Sequence, residues 1–360
     1  MRPSREESHA HVQLQLTRHE SMNAQLAELT RLQPVADEAL AKLASVVPAG
    51  SVCALLDHPD YPNVGDSAIW LGQREFLRSH NVRVAYSCSI KTFNEAALRR
   101  AMPRGIVLIQ GGGNFGTLWP HHQVFRETLL ERLRDYPIVQ LPQSIRYEDE
   151  AALRRTAELI AAHPRFTLCV RDHASLRIAT EQLGARALLC PDSALLLEGK
   201  LERHTPDVDC LVLARTDKER AFEGLEQVFA ASGMSVATAD WLDEPRTRLH
   251  SLRDRFARAS RREWAGSTLF QFAMLHLWDR LAWQRTQRGC DLLSRGRIVV
   301  TDRLHAHILS TLLGIPNIVL DNSYGKLSGF ISAWTANNPL CHQAASVDEA
   351  KRIAQRLMQG

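Results

Sequence analysis

The chain has no apolar run long enough to span a bilayer: its best stretch, STLFQFAMLHLWDRLAW, is broken by Gln271, His276, Asp279 and Arg280. Its first residues, MRPSREESHAHVQLQ, lack the apolar core of an export signal. Cysteine is sparse and scattered; the seven are odd in number, so they cannot all pair. Cys53, Cys169, Cys190 and Cys210 lie in or beside apolar runs, where a thiol packs as a small hydrophobe. These absences point to a reducing, cytoplasmic setting. A one-sided charge is missing too, since 44 Lys plus Arg stand against 40 Asp plus Glu, too slight a surplus to argue for nucleic acid. No internal repeat or low-complexity tract breaks the chain.

What is present is a rhythm. From Ser51 onward, short apolar runs (VCALL, VRVAY, GIVLIQ, PIVQLP, FTLCVRD) alternate with helical stretches, the signature of parallel βαβ units. The charged, turn-rich EGKLERHTPDVD interrupts this near residue 200, and a second series follows with CLVLAR, SVATAD, RIVVTDR and NIVLDN. At 360 residues two cores are expected. The pattern predicts an α/β protein of two Rossmann-like, doubly wound domains facing a cleft. The expected divisions are a helical N-terminal arm over 1–47, an α/β domain over 48–200, a second over 201–345 and a C-terminal helix over 346–360. A basic helical hairpin, about 245–290, is expected as an insertion in the second domain.

In such folds ligands gather at the carboxyl ends of strands, and five polar clusters sit there. In DHPDYPNVGDSAIWLG, Asn63, Gly65 and Asp66 lie between a strand and a helix; Gly65 opens the backbone to a ligand, and Asp66 is either a helix cap or a catalytic carboxylate. In IQGGGNFGTLWP, Gly111, Gly112 and Gly113 expose backbone donors suited to an anion, and Asn114 offers a donor and an acceptor. The spacing matches neither the dinucleotide fingerprint nor a P-loop. LPQSI and VRDHASLRIA continue the pattern, with Arg171 placed either to grip an anion or to pair with Asp172 on the surface. In CPDSALLL, capping is the favoured role for Asp192. The fifth cluster, TDRLHAH, has Asp302 as the expected cap of a helix, Arg303 as a fixed positive charge and His305 in the first turn as a proton donor. His307, two residues on, points elsewhere and makes no metal pair with His305. Asp207 and Asp209 precede their strand, the wrong end for a ligand site.

Taken in order, NVGDSAIWLG, QGGGNFG, LPQSI, VRDHASL, CPDSALL and TDRLHAHILSTLLGIPNIVLDNSYGK resemble the polysaccharide pyruvyl transferase family over residues 51–340. The resemblance implies a glycosyltransferase-B-like fold and an enzyme that uses phosphoenolpyruvate, without a further cofactor or metal, to place a pyruvate ketal on a hexose of a cell-surface polysaccharide precursor. It matches Arg303, Leu304 and His305 to the family's donor-binding segment and Arg171 to a second donor-binding arginine. His305 then protonates the donor's methylene carbon, and Asp66 is the base or a cap. Two other readings keep the same cleft: a sugar-nucleotide-dependent glycosyltransferase of similar architecture, and a non-catalytic protein of polysaccharide assembly.

Between Pro245 and Arg297 stand twelve arginines and four acidic residues, with aromatic and aliphatic residues interleaved. The plain expectation is a solvated hairpin packing its apolar side on the second domain. The sharper one is a peripheral contact with the inner face of the membrane, where a lipid-linked saccharide acceptor would reside.

Overall fold

A computed structural model of the chain describes residues 31–215, 225–230, 232–321 and 325–359. The described strands form two sheets in which every pairing is parallel. The first contains β1 (Val52–Leu56), β2 (Arg83–Cys88), β3 (Ile106–Ile109), β4 (Gly112–Gly116), β5 (Ile138–Arg146), β6 (Phe166–Val170) and β7 (Ala187–Leu189). Its order is β2-β1-β3-β5-β6-β7, with β4 paired to the far half of β5. The second contains β8 (Val208–Leu213), β9 (Val236–Ala239), β10 (Gly296–Thr301), β11 (Asn317–Leu320) and β12 (Cys341–Ala344), in the order β12-β11-β10-β8-β9. Helices cover both faces of such sheets, so runs such as VCALL and IVLI are buried almost without interruption.

The strand order fixes where a site can form. From β1 the chain steps outward to β2 and then returns to β3 on the other side; from β8 it steps to β9 and then returns to β10. Each reversal separates the connecting helices at the strands' carboxyl ends and leaves a crevice there.

One helix, Val64–Ser79, serves both cores. Its Trp70 and Phe76 enter the core of the first sheet, whereas Val64, Ala68 and Ile69 pack with Leu211, Val299, Leu304 and Ile308 of the second. The long helix Thr268–Ser294 crosses it so closely that a Cβ on Gly289 would stand 2.2 Å from Val64 Cγ1.

The basic hairpin differs from its expected position. Helices Arg248–Ala259 and Thr268–Ser294 run back over the first domain, where Phe270, Met274, Leu277, Trp278 and Leu281 join the first core. Burying each such aliphatic or Phe side chain contributes about 1.5–3 kcal/mol, whereas exposed arginine pairs contribute under about 1 kcal/mol. Apolar burial therefore decides where the hairpin lies. Polar contacts fix its register: Asp279 accepts from Trp70 Nε1 at 2.8 Å and pairs with Arg74 at 3.0 Å. Gln271 Oε1 accepts from Ser87 N on β2, an edge strand whose outer donors have no neighbouring strand.

The N-terminal arm also differs where it is described. Helix Gln33–Ala44 buries Ala36, Ala39 and Leu43 in the first core while Leu32 joins the second, so residues 31–47 are integral; residues 1–30 lie outside the described residues. The C-terminal helix, Val347–Gln359, lays Ala350, Ile353 and Ala354 on the second sheet.

The second histidine of TDRLHAH, His307, lies in the core. It is fully buried on helix Leu304–Leu312, with Nδ1 2.7 Å from Asn317 Oδ1 and Nε2 2.9 Å from Thr335 Oγ1. Asn317 Nδ2 donates to Thr311 and Ile315, so its oxygen faces the ring and Nδ1 carries the proton. Burial lowers the His307 pKa from 6.5 to about 4, against a smaller raising effect of Asn317. The unfolded chain therefore binds more protons than the folded one between those values, and this ring's contribution to stability is complete above the upper value and lost as pH falls through the lower. The loss is on the order of 3 kcal/mol. Denaturant unfolding of the wild type from neutral to acid pH should show this decline, and His307→Gln should flatten it.

Candidate active site

Both strand-order reversals open onto one cleft of about 750 Å³. The first domain contributes Asp57 and His58 after β1, Asn114 in β4, and Arg171 after β6; the second contributes Arg215 after β8, Trp241 after β9, and Arg303 to His305 after β10.

At its centre, residues from both domains converge. Arg171 leaves β6 buried, and its NH1 donates to Asp192 Oδ2 at 2.5 Å while its Nε donates to Ser144 Oγ at 3.0 Å. His305 arrives from the second domain with Nε2 3.4 Å from the same carboxylate oxygen and 3.5 Å from the Arg171 guanidinium. The alternative, a surface pairing of Arg171 with Asp172, does not form; Asp172 caps the following short helix through Ser175 N and accepts from Ser144 Oγ. Asp192 does cap, through Ala194 N, but with its other oxygen it also serves this cluster. Burial alone would raise its carboxyl pKa, yet the hydrogen bond and charge of His305, with Arg171 beside them, hold it well below the usual range. It remains ionised between the guanidinium and the imidazole.

Arg303 occupies the N-cap position of helix Leu304–Leu312, donates from NH2 to Asp240 Oδ1 at 2.9 Å and lies over Trp241 with its guanidinium carbon 5.7 Å from the ring centre. Leu304 lines the cleft with it. Asp302 does not cap this helix. Its Oδ1 accepts from Arg215 N at the end of β8, and Thr301 Oγ1 accepts from Arg303 N instead. A carboxylate preceding a strand-end turn can reach the adjacent strand as readily as the next helix, and here burial of Asp302 favours the fixed backbone donor.

At the other wall, Asn63 is the cap of helix Val64–Ser79, accepting from Gly65 N at 2.9 Å and Asp66 N at 3.3 Å. Asp66 is thereby free of capping; its Oδ2 accepts from Tyr61 Oη at 2.9 Å and it lines the cleft. The reason for glycine at position 65 is not ligand access to the backbone. A Cβ there would stand 2.4 Å from His305 Nδ1, so the bare backbone makes room for the imidazole.

The glycine run is a strand, not an anion cradle opening a helix. Gly111 backs against the Pro142 carbonyl, Gly112 has a left-handed φ of 139°, and the next helix begins only at Pro120. Of the three glycines only Gly113 lines the cleft. Asn114 faces it with its oxygen already engaged by Arg126 NH2 and Gln143 Nε2, both at 2.9 Å, which leaves its amide N–H groups. Arg126 is wholly buried, and burial lowers its pKa to about 10.

One pair escaped sequence reasoning. His122 Nδ1 lies 2.9 Å from Asp57 Oδ2 and 3.1 Å from Oδ1, in a buried pair lining the cleft, with Tyr61 edge-on to the imidazole at 5.9 Å. Asp57 is held at φ 68°, an uncommon conformation for a residue other than glycine. Its position one residue past β1 is a readable signal; its histidine partner, 65 residues away on the third α-helix after that strand, Pro120–Arg132, is not. Among the described residues no group of three or more His, Cys, Asp or Glu side chains is arranged to hold a metal ion.

Comparison with known proteins places the chain in a family. Residues 63–324 match the family model of polysaccharide pyruvyl transferases. The chain is 30% identical to pyruvyl transferase 1 of Schizosaccharomyces pombe, over 85% of its own length and 75% of that protein. It is 32% identical to the Bacillus subtilis protein EpsO, over 83% of its length and 90% of the relative. A crystal structure of a functionally uncharacterised Klebsiella pneumoniae protein shares the fold, with a TM-score of 0.53 at 16% identity, covering 84% of this chain and 96% of that one. With the family model spanning well over half of the chain, this protein belongs to the polysaccharide pyruvyl transferase family.

Proposed function

We propose that the protein transfers the pyruvyl group of phosphoenolpyruvate to two hydroxyls of a hexose in a cell-surface polysaccharide precursor, forming a cyclic ketal. The observation that carries this reading is the meeting of Arg171, Asp192 and His305 beside Arg303 at the point where both domains open. A donor with a carboxylate and a phosphate calls for two guanidiniums, and protonation at carbon calls for an acid held close to them. Arg303, on Trp241 and Asp240, and Arg171, on Asp192 and Ser144, are oriented before any ligand arrives.

In this reading His305 Nε2–H protonates the methylene carbon, and C2 becomes electrophilic while Asp192 balances the ring's charge. One sugar oxygen bonds to C2 as its proton passes to a base; the base hands that proton to the bridging oxygen as the bond from C2 to it breaks and hydrogen phosphate leaves; the second sugar oxygen then closes the ring and releases its proton, which restores His305. Two groups facing the cleft suit the base. Asp66 gives part of its electron density to the Tyr61 hydroxyl, whereas Asp57 fixes the Nδ1–H of His122 and leaves Nε2 as an accepting nitrogen. The arrangement favours His122.

Incubation with phosphoenolpyruvate and a hexose acceptor should release phosphate and increase the acceptor mass by one pyruvate less one water; consumption of a nucleotide sugar instead would overturn the reading. His305→Gln should retain donor affinity and lower turnover by about a hundredfold or more, checked by calorimetry and steady-state kinetics. Arg303→Ala should weaken donor binding by about 1.5–3 kcal/mol. In Gly65→Ala the new methyl displaces the imidazole, so turnover should fall at least about tenfold, and because the methyl also meets His305 Cβ the unfolding midpoint should fall with it. His122→Gln should lower turnover more than Asp66→Asn; the reverse order would return the base role to Asp66.

A further inference from the structure

Most large apolar side chains in this protein are buried, but the tip of the basic hairpin is an exception: Trp264 is 54% exposed, Phe272 68% and Leu269 79%. The three lie within nine residues, around the turn between helices Arg248–Ala259 and Thr268–Ser294, where Ser267 N donates to the Trp264 carbonyl. The turn itself is anchored. Asn94 Nδ2 donates to the Ser260 carbonyl, a Cβ on Gly266 would strike the Ala97 carbonyl at 2.7 Å, and Trp264 packs edge-on against the buried Phe270. A fixed turn that presents bulky apolar groups outward has the form of a contact surface.

The charges around it identify what it contacts. Arg255, Arg258, Arg261 and Arg262 are exposed on the same turn and the helix leading to it, and none has an acidic partner among the described residues. A second copy docking symmetrically through this tip would bring the two arginine rows together, which opposes self-association. A membrane interface meets both needs, because apolar side chains enter the acyl boundary while guanidiniums remain among anionic headgroups.

The same helix reaches the cleft. Arg253 points inward to Asp60 at 3.1 Å, and Asp60 lines the cleft, while Arg255 and Arg258 point outward. Arg253 and Arg258 are only about 7.5 Å apart along the helix axis.

We propose that the hairpin tip, through Trp264, Leu269 and Phe272 with the arginines beside them, docks on a membrane surface rich in anionic headgroups and so holds the cleft beside an acceptor carried on lipid. The docking stands on the surface itself; the lipid-borne acceptor rests on the reading of pyruvyl transfer above.

The test is sedimentation of the full chain with phosphatidylcholine vesicles with and without phosphatidylglycerol, at low salt. The wild type should sediment only with the anionic vesicles. A triple variant, Arg258→Glu, Arg261→Glu and Arg262→Glu, and a double variant, Leu269→Ser and Phe272→Ser, should each lose about tenfold or more of that binding. Both should keep the wild-type unfolding midpoint and turnover on a water-soluble acceptor. Absence of sedimentation, sedimentation insensitive to both variants, or a light-scattering dimer dissolved by the double variant would each overturn the docking. Vesicle binding without any turnover of phosphoenolpyruvate would instead remove the transfer reading and leave the docking in place.

Discussion

The site is organised around a guanidinium and a carboxylate that have both been withdrawn from water. Arg171 is 2% exposed and Asp192 not at all, and neither charge would be tolerable there alone. Their 2.5 Å contact, the Ser144 hydroxyl on Arg171 and the Ala194 amide on Asp192 supply the partners that burial demands. The pair does not by this account stabilise the fold. It creates a rigid charged platform at the exits of β6 and β7, onto which the second domain sets His305 and to which Trp334 Nε1 adds a hydrogen bond on the Arg171 carbonyl.

That platform requires the two domains to keep their relation, and the packing provides for it. Helix Val64–Ser79 belongs to both cores, so its N-terminus, where Asn63, Gly65 and Asp66 stand, is fixed with respect to each sheet. The long helix Thr268–Ser294 starts over the edge of the first sheet and is separated only by Arg295 from β10, which leads to Arg303. Domain arrangement and site geometry are thus carried by the same two helices.

Several residues in or beside the cleft hold others in place. Asn63 and Asp57 hold a helix start and a histidine; Gly65 and Gly111 contribute by absence of bulk; Asp302 ties β8 to β10 through the Arg215 amide.

The alternation of apolar runs and helical stretches determined two parallel sheets, because a βαβ unit has no other compact solution, and it placed Arg171, Arg303 and His305 at strand exits. Local sequence could not decide which partner a side chain finds. Asp302 had two hydrogen-bond donors within reach, and only the position of β8 chose between them; Asp57 and His122 are joined solely by the path of the first sheet. The basic hairpin shows the same limit. Its amphipathic pattern required a hydrophobic surface to cover, but two domains offered one, and the exposed edge of β2 with the apolar face around Trp70 settled which. Sequence determines what each segment must bury or satisfy; the tertiary structure decides against what, because apolar burial has no direction and hydrogen-bond partners are fixed only when distant strands meet.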